Sequence, residues 1–337
     1  MQQRRLVLQA IAGWVLSAMA MFASAQADLD ALIKAARAEG EVSIYSGATE
    51  NILKRTGDAF TAQYGVKYSF TRMAGAQNLQ RYATEAEAGT FAADLVFNGG
   101  GTYVFAAEAV KKGWIEPIRQ AGIPALTSGL FPSKFITGPT ATIQLSPWGI
   151  TWNTDKVKGA DIPKDWPDIF NPRFKGQILL ADSRSSDAIL EGWSLLLDKY
   201  GESFFARLRE MNPRRYAGNV PAAASLAAGE GYILLPSTGQ LVQLMKGKGA
   251  PIADMTPPHT TGVEMQVFLT HRAKARHPNA ARLLAHFVMT AEGNKLFNAD
   301  PGSVSVFDTT SLPKEYEPNK AGTEARKDLV ARLLGFQ

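Results

Sequence analysis

The chain has 337 residues, 20% of them charged, a formal net charge of +5 and no cysteine. Without cysteine there is no disulfide, no thiolate metal site, no cysteine nucleophile and no lipidated cysteine anchor. A charge this small, with both signs interspersed, also excludes a nucleic-acid footprint, which needs basic residues gathered on one face.

Residues 1–25 read as a secretory signal. Arg4 and Arg5 form a basic head, Leu6 to Phe22 an apolar run, and Ala23-Ser24-Ala25 a small-residue cleavage site. The run is 17 residues long and interrupted by Gln9 and Ser17, short for a membrane span. The expectation is a cleaved chain starting near Gln26, soluble in the periplasm, its charge lowered from +5 to +3 by the loss of Arg4 and Arg5. Roughly 310 residues then remain, more than one hydrophobic core usually serves, so two domains with a cleft between them are predicted. The mild positive bias favours an anionic ligand.

In chain order, residues 28–39 carry apolar positions at helical spacing and stop at Gly40, a suitable C-cap. EVSIYSG (41–47) is a strand, followed by a helix to Tyr64-Gly65 and a second strand, VKYSFTRM (66–73). A helix from Leu79 to Ala88 leads to ADLVFNGGG (93–101), an apolar strand running into three glycines. Alternating strands and helices predict a largely parallel sheet covered on both faces. Residues 114–139, rich in Pro, Gly and Ser, read as loops. The β-rich stretch 141–154 is a first crossing into a second α/β pattern: a strand ending near Asp182, a helix at 187–200, a strand near Arg215 to Ala217, a helix at 221–229 and a strand at 232–237. TGVEMQVFLT (261–270) is the return crossing, residues 279–297 form one long amphipathic helix, and 323–335 carry a last helical stripe.

Six phrases in this order carry a resemblance: EVSIYSG, AADLVFN, WGITWNTDKVKG, DWPDIFNPRFKGQILLAD, SLAAGEGYILL and HPNAARLLAHFVMTAEGNKLF. The chain resembles the ferric-ion-binding branch of the class II periplasmic binding proteins, the family 1 extracellular solute-binding proteins, over nearly its whole mature length. The resemblance implies a two-lobed α/β fold in which two mainly parallel sheets, flanked by helices and joined by two hinge strands, close on a small ligand. It implies delivery of that ligand to the permease subunits of an ABC importer in the inner membrane, by a monomer with no enzymatic activity and no cofactor. The lobes are expected at 26–145 with 265–310, and at 146–264 with 311–337.

The iron ligands that the resemblance would call for are missing. Their positions fall at Ala48-Thr49, at Gly99 and at Gly239-Gln240, and none of these side chains is a hard anionic donor. An anion pocket is expected instead. Ser183, Arg184, Ser185 and Ser186 lie where a strand ends and a helix starts, Asn219 ends another strand, and Ser237-Thr238 end a third, so three strand ends converge on one oxyanion. The alternative for Ser186 or Asn219 is an ordinary N-cap. Opposite them, Ser46, Ala48, Thr49 and Glu50 form one loop, and Asn98 and Gly99 begin another. Glu50 either pairs with a ligand amine or favours its own helix N-terminus. Trp148 is expected as an apolar wall, the alternative being hinge packing; Tyr45 and Trp152 read as core, and Arg214 with Arg215 as a solvated pair, the alternative being that they reach the site.

A serine hydrolase would need a G-x-S-x-G elbow, which the sequence lacks. His259, His271, His277 and His286 show no metal-ligand spacing, and neither a phosphate-binding loop nor a dinucleotide fingerprint occurs. The expected ligand is a small organic anion: a phosphonate, a phosphate ester or a carboxylate. A sensor that presents its closed form to a membrane receptor, and a binder of a ferric complex, remain as alternatives.

Overall fold

A computed structural model describes residues 26–73, 75–320 and 322–336; the stretch read as a secretory signal lies outside them. The first helix, α1 (26–39), precedes β1 (Glu41–Ser46), α2 (Glu50–Tyr64), β2 (Lys67–Arg72), α3 (Gly75–Glu87), β3 (Leu95–Asn98) and α4 (Thr102–Lys111). The stretch read as loops holds only short pieces, β4 (Ile115–Glu116), α5 (Pro124–Thr127) and β5 (Ile136–Thr137), before the long strand β6 (Thr140–Asn153). The second pattern comprises β7 (Ile178–Ala181), α6 (Asp187–Glu210), β8 (Arg214–Tyr216), α7 (Asn219–Ala227), β9 (Ile233–Thr238), α8 (Gly239–Lys246) and β10 (Ile252–Met255). After β11 (His259–Thr260) and β12 (Gly262–Thr270) come α9 (Pro278–Val288), α10 (Ala291–Phe297), β13 (Glu315–Tyr316) and α11 (Lys327–Leu334).

The strands run β2-β1-β3-β12-β6-β9-β7-β8. The two outer trios, β2-β1-β3 and β8-β7-β9, are each parallel, and β12 and β6 join them through antiparallel pairings. Both trios have the same topology, with the first strand of the trio between the second and the third. Connections therefore leave in opposite directions on either side of β1 and of β7. Such a switch point opens a crevice at the carboxyl ends of the two strands that flank it, where ligands of open α/β sheets bind. Its walls here are the ends of β1 and β3 in the first half, and of β7 and β9 in the second.

The apolar cores divide along the same line. Leu32 to Leu145 and Met265 to Val306 contribute to a core under the first trio, which Leu312 and Tyr316 also touch. Residues from Trp148 to Leu235, joined by Val263 and by α11, build another under the second. The paired strands β6 and β12 pass from one core to the other, which makes them the two connections between lobes.

Where one helix was expected over 279–297, the chain makes two. Thr290 breaks the run: its backbone is extended, and its Oγ1 accepts from the Gly293 amide at 3.1 Å as the N-cap of α10. The turn is tight because Gly293 lies against the Phe287 carbonyl, where any Cβ would fall at 1.9 Å. Helix α6, expected to end at residue 200, continues to Glu210 through a break at Gly201, whose φ of 67° a glycine adopts without strain.

Candidate ligand-binding site

At the first-half end of the crevice, β1 stops at Ser46, and the next amide, that of Gly47, donates to the Phe97 carbonyl of β3 at 2.9 Å. Ser46 is buried, and its Oγ accepts from the Ala48 amide at 3.0 Å. The Ala48 carbonyl accepts from Arg72 Nε at 2.9 Å. Thr49 occupies the N-cap of α2 without a side-chain cap bond. Glu50 is exposed and paired with Lys54 at 2.8 Å; the ammonium beside it holds its carboxyl below the usual range. Glu50 lies in the first turn of α2, where a carboxylate favours the helix terminus. Asn98 is fully buried, donating to Thr102 Oγ1 at 2.9 Å and accepting from Asn78 Nδ2 at 3.2 Å.

At the second-half end, Ser183 is 1% exposed and lies two residues past the end of β7, and Ser237 is 2% exposed near the end of β9. Neither hydroxyl has a hydrogen-bond partner among the described residues, and neither does the buried Oδ1 of Asn219, which opens α7 after β8. The pairings Leu180 with Leu235 and Ala181 with Tyr216 place these three residues side by side just past the sheet edge. Turning the Asn219 amide over would present its NH₂ instead, an assignment that only the missing partner settles. The N-termini of α6, α7 and α8 start at the same edge and bring unpaired N–H groups and the positive ends of their dipoles.

The other sequence candidates are engaged elsewhere. Arg184 folds back on Asp182, with Nη2 to Oδ2 at 2.8 Å and Nε to Oδ1 at 3.1 Å, and so turns its donors to a carboxylate of its own chain. Ser185 Oγ donates to the Asp182 carbonyl at 2.6 Å. Ser186 is the N-cap of α6, its carbonyl accepting from Leu190 N at 3.1 Å, while its side chain makes no cap bond. Thr238 Oγ1 caps α8. The Trp148 indole is buried, donates from Nε1 to the Ala188 carbonyl at 3.1 Å and lies against Gly192, where an added Cβ would sit at 2.9 Å. That is packing at the lobe junction, not the apolar pocket wall that the sequence suggested. At Gly239-Gln240, one of the positions where the sequence resemblance called for iron ligands, Gln240 Nε2 donates to Ser303 Oγ at 2.6 Å. Among the described residues no group of three or more His, Asp or Glu could hold a metal ion.

The two halves touch. A Cβ on Gly100 would lie 2.6 Å from the Ala188 amide nitrogen, so the β3–α4 loop and the start of α6 meet backbone to backbone. Beside this contact is a cavity of about 270 Å³ walled by Gly99 and Gly100 from the first half, Glu191 of α6, Glu264 and Gln266 of β12, and Glu324. Burial pushes the Glu191 carboxyl up to about 8, with Glu264, Asp187 and Glu324 adding to the shift, and burial also raises Glu264. Only the glycine run from Gly99 was legible in the sequence. Glu191 lies five residues beyond the Ser186 cap, so helical rise alone carries it about 7.5 Å into the wall, but a glutamate there reads as an ordinary helix residue.

Two similar α/β lobes, linked by paired strands and facing each other across the carboxyl ends of their sheets, define a two-lobed solute-binding protein of type II. The chain belongs to the bacterial extracellular solute-binding protein family, whose model matches residues 92–321. This is a transport family serving ABC importers outside the cytoplasmic membrane, not an enzyme family. An uncharacterised protein of Haemophilus influenzae is 28% identical over 324 residues, covering 89% of this chain and 91% of that protein. Iron-bound HitA from Pseudomonas aeruginosa superposes with a TM-score of 0.67 at 16% identity, over 88% of this chain and 99% of that one. AfuA from Actinobacillus pleuropneumoniae, with fructose-6-phosphate bound, gives 0.63 at 21% identity, over 88% and 96%.

Proposed function

We propose that the protein captures a small organic anion in the crevice, closes its two lobes over it and delivers it to the permease of an ABC importer. The lobes divide where the cores do, between residues 145 and 148 on β6 and between 263 and 265 on β12. One observation carries the reading: Ser183, Asn219 and Ser237, at three adjacent strand ends, hold buried polar atoms without a hydrogen-bond partner among the described residues. A buried polar group without a partner costs about 1–3 kcal/mol. The two hydroxyls, beside the N-termini of three helices, suit an oxyanion that accepts their hydrogen bonds, while Asn219 Oδ1, an acceptor, suits a hydroxyl or amine donor of the same ligand. From the first lobe, the backbone around Gly47–Ala48 and Gly99–Gly100 supplies the opposing surface. The absence of tyrosine or carboxylate at the iron-ligand positions sets this chain apart from a ferric binder. The fructose-6-phosphate bound by AfuA makes phosphate esters the first compounds to try.

Thermal unfolding with fructose 6-phosphate, 2-aminoethylphosphonate, citrate, spermidine and ferric citrate tests the reading. A ligand at one hundred times its Kd stabilises the native state by about 2.7 kcal/mol. We expect the rise with an anion, and its loss in Ser183→Ala with Ser237→Ala, which removes two hydroxyls and should weaken binding by about 10-fold or more. Stabilisation by spermidine alone, or unchanged anion affinity in the double variant, would sink the assignment.

A further inference from the structure

We propose that closure of the lobes takes up one proton at Glu191, so that the closed form is favoured as pH falls and loosened as pH rises. The inference rests on the reading above that the lobes open and close. Glu191 projects from α6 into the chamber between the lobes, and its Oε2 is buried without a hydrogen-bond partner among the described residues. The opposite wall is Gly99 and Gly100 of the other lobe, and the floor is the connecting strand β12. The other half therefore supplies part of the cover over Glu191, the 319–324 segment the rest, and closure adds to its burial. An ionised carboxylate left unpaired in such a place is costly, and the proton is the smallest partner that removes the charge.

The surrounding charges add to that cost. Glu264 faces Glu191 from β12, Asp187 from its own helix and Glu324 from the turn before α11, all of one sign. From β13, the Tyr316 phenol is held well above its usual range by burial first, with Glu264 and Glu191 contributing. The nearby cations are committed elsewhere. Lys320, which also lines the chamber, pairs with Glu317 at 3.1 Å, Arg326 with Asp198 at 2.6 Å and Arg184 with Asp182, while the His259 ring of β11 lies 2.8 Å from Glu315. From α11, Lys327 acts on Asp182 and Asp328 on Arg184. In the closed arrangement burial, then Glu264, Asp187 and Glu324, push the Glu191 carboxyl up to about 8. Separating the lobes lets water reach it and returns it toward the ordinary carboxylate range. The sign follows from linkage: closure is unpenalised at pH values below that ordinary range. Through the window up to about 8, each unit of rising pH lowers the closed-to-open ratio by up to about tenfold.

The chain has no cysteine, so a labelled pair can be introduced cleanly. Lys54 near the start of α2, its side chain 62% exposed, and Val220 near the start of α7, 66% exposed, sit on helices that open at the crevice from opposite lobes. Spin labels on Lys54→Cys with Val220→Cys report lobe separation by pulsed electron resonance at about pH 5.5 and about pH 8.5, with no ligand present. We expect the short-distance population, relative to the long, to be at least about tenfold larger at the lower pH. Glu191→Gln, neutral at both, should hold the short distance at both, while Glu191→Asp, still titratable, should keep the pH dependence and controls for packing. A wild-type distribution that is the same at both pH values overturns the coupling, as does full pH dependence in Glu191→Gln. If the distance shortens with fructose 6-phosphate but not with pH, anion capture stands and proton coupling falls. If it responds to pH and to no anion in the panel, the ligand assignment falls instead.

Discussion

The strand ends of the two lobes carry the same kinds of side chain and use them differently. In the first lobe Ser46 Oγ holds the Ala48 amide, and Asn98 is braced between Asn78 and Thr102, although the Asn78 Oδ1 itself stays unpaired. In the second lobe Ser183, Asn219 and Ser237 keep buried oxygens with no partner. Polar residues at the first crevice wall are therefore spent on shaping loops whose backbone meets the other lobe. Those at the second wall are held in reserve, at a cost that a bound molecule would offset. One half is a finished platform, the other an incomplete shell.

The contrast breaks most readily at the place where the two halves meet. In Gly100→Ala the added methyl would stand 2.6 Å from the Ala188 amide nitrogen, and a backbone atom cannot swing aside. Closure is obstructed while each lobe stays intact. If the closed form drops to about 1% of the population, apparent affinity falls about 100-fold. Calorimetry with whichever panel anion stabilises the wild type should show that loss, with the ligand-free melting temperature unchanged. Undiminished affinity would mean that capture does not require the lobes to meet.

Asn98→Ala probes the finished half. It strips Asn78 Nδ2 of an acceptor and Thr102 Oγ1 of a donor inside a buried cluster, so it should cost about 1–3 kcal/mol in denaturant unfolding. Affinity should stay within about threefold, since the ligand meets this lobe through backbone. A large loss of affinity with intact stability would show that Asn98 reaches the ligand directly and that the lobes are less different than they look.

Element order and the positions of serines at strand ends were legible because they depend on local signals: period-two and period-3.6 runs, glycine stops, and serines where a strand turns into a helix. What each side chain does there was not, because that depends on rotamers and on neighbours distant in sequence. Ser183 and Ser185 look alike in the text, yet Ser185 is used up by the Asp182 carbonyl and Ser183 is free. Trp148 looks like a pocket wall and is held instead by the Ala188 carbonyl, 40 residues away. The Glu191, Glu264 and Glu324 chamber was invisible for the same reason: its members come from a helix, a crossing strand and the C-terminal segment, and only the fold brings them together.

Arg184 gives the smallest effect and the sharpest separation between sequence and structure. As an isolated arginine beside three serines it suggests a bidentate grip on the anion, and its removal would then cost as much as a charged hydrogen bond. In the fold its guanidinium lies on Asp182, which also accepts the Arg184 amide at 2.9 Å, while the hydroxyls of Ser183 and Ser237 stay free. An exposed pair of this kind contributes little, and an arginine already facing a carboxylate brings no net positive charge to the ligand. Arg184→Ala should therefore change affinity by less than about threefold. Asp182→Asn, which leaves the guanidinium without its counter-charge, should strengthen anion binding slightly if the side chain can swing into the crevice. A loss above tenfold in Arg184→Ala would mean that the arginine exchanges Asp182 for the ligand on closure, moving it from the rim into the shell that the two hydroxyls begin.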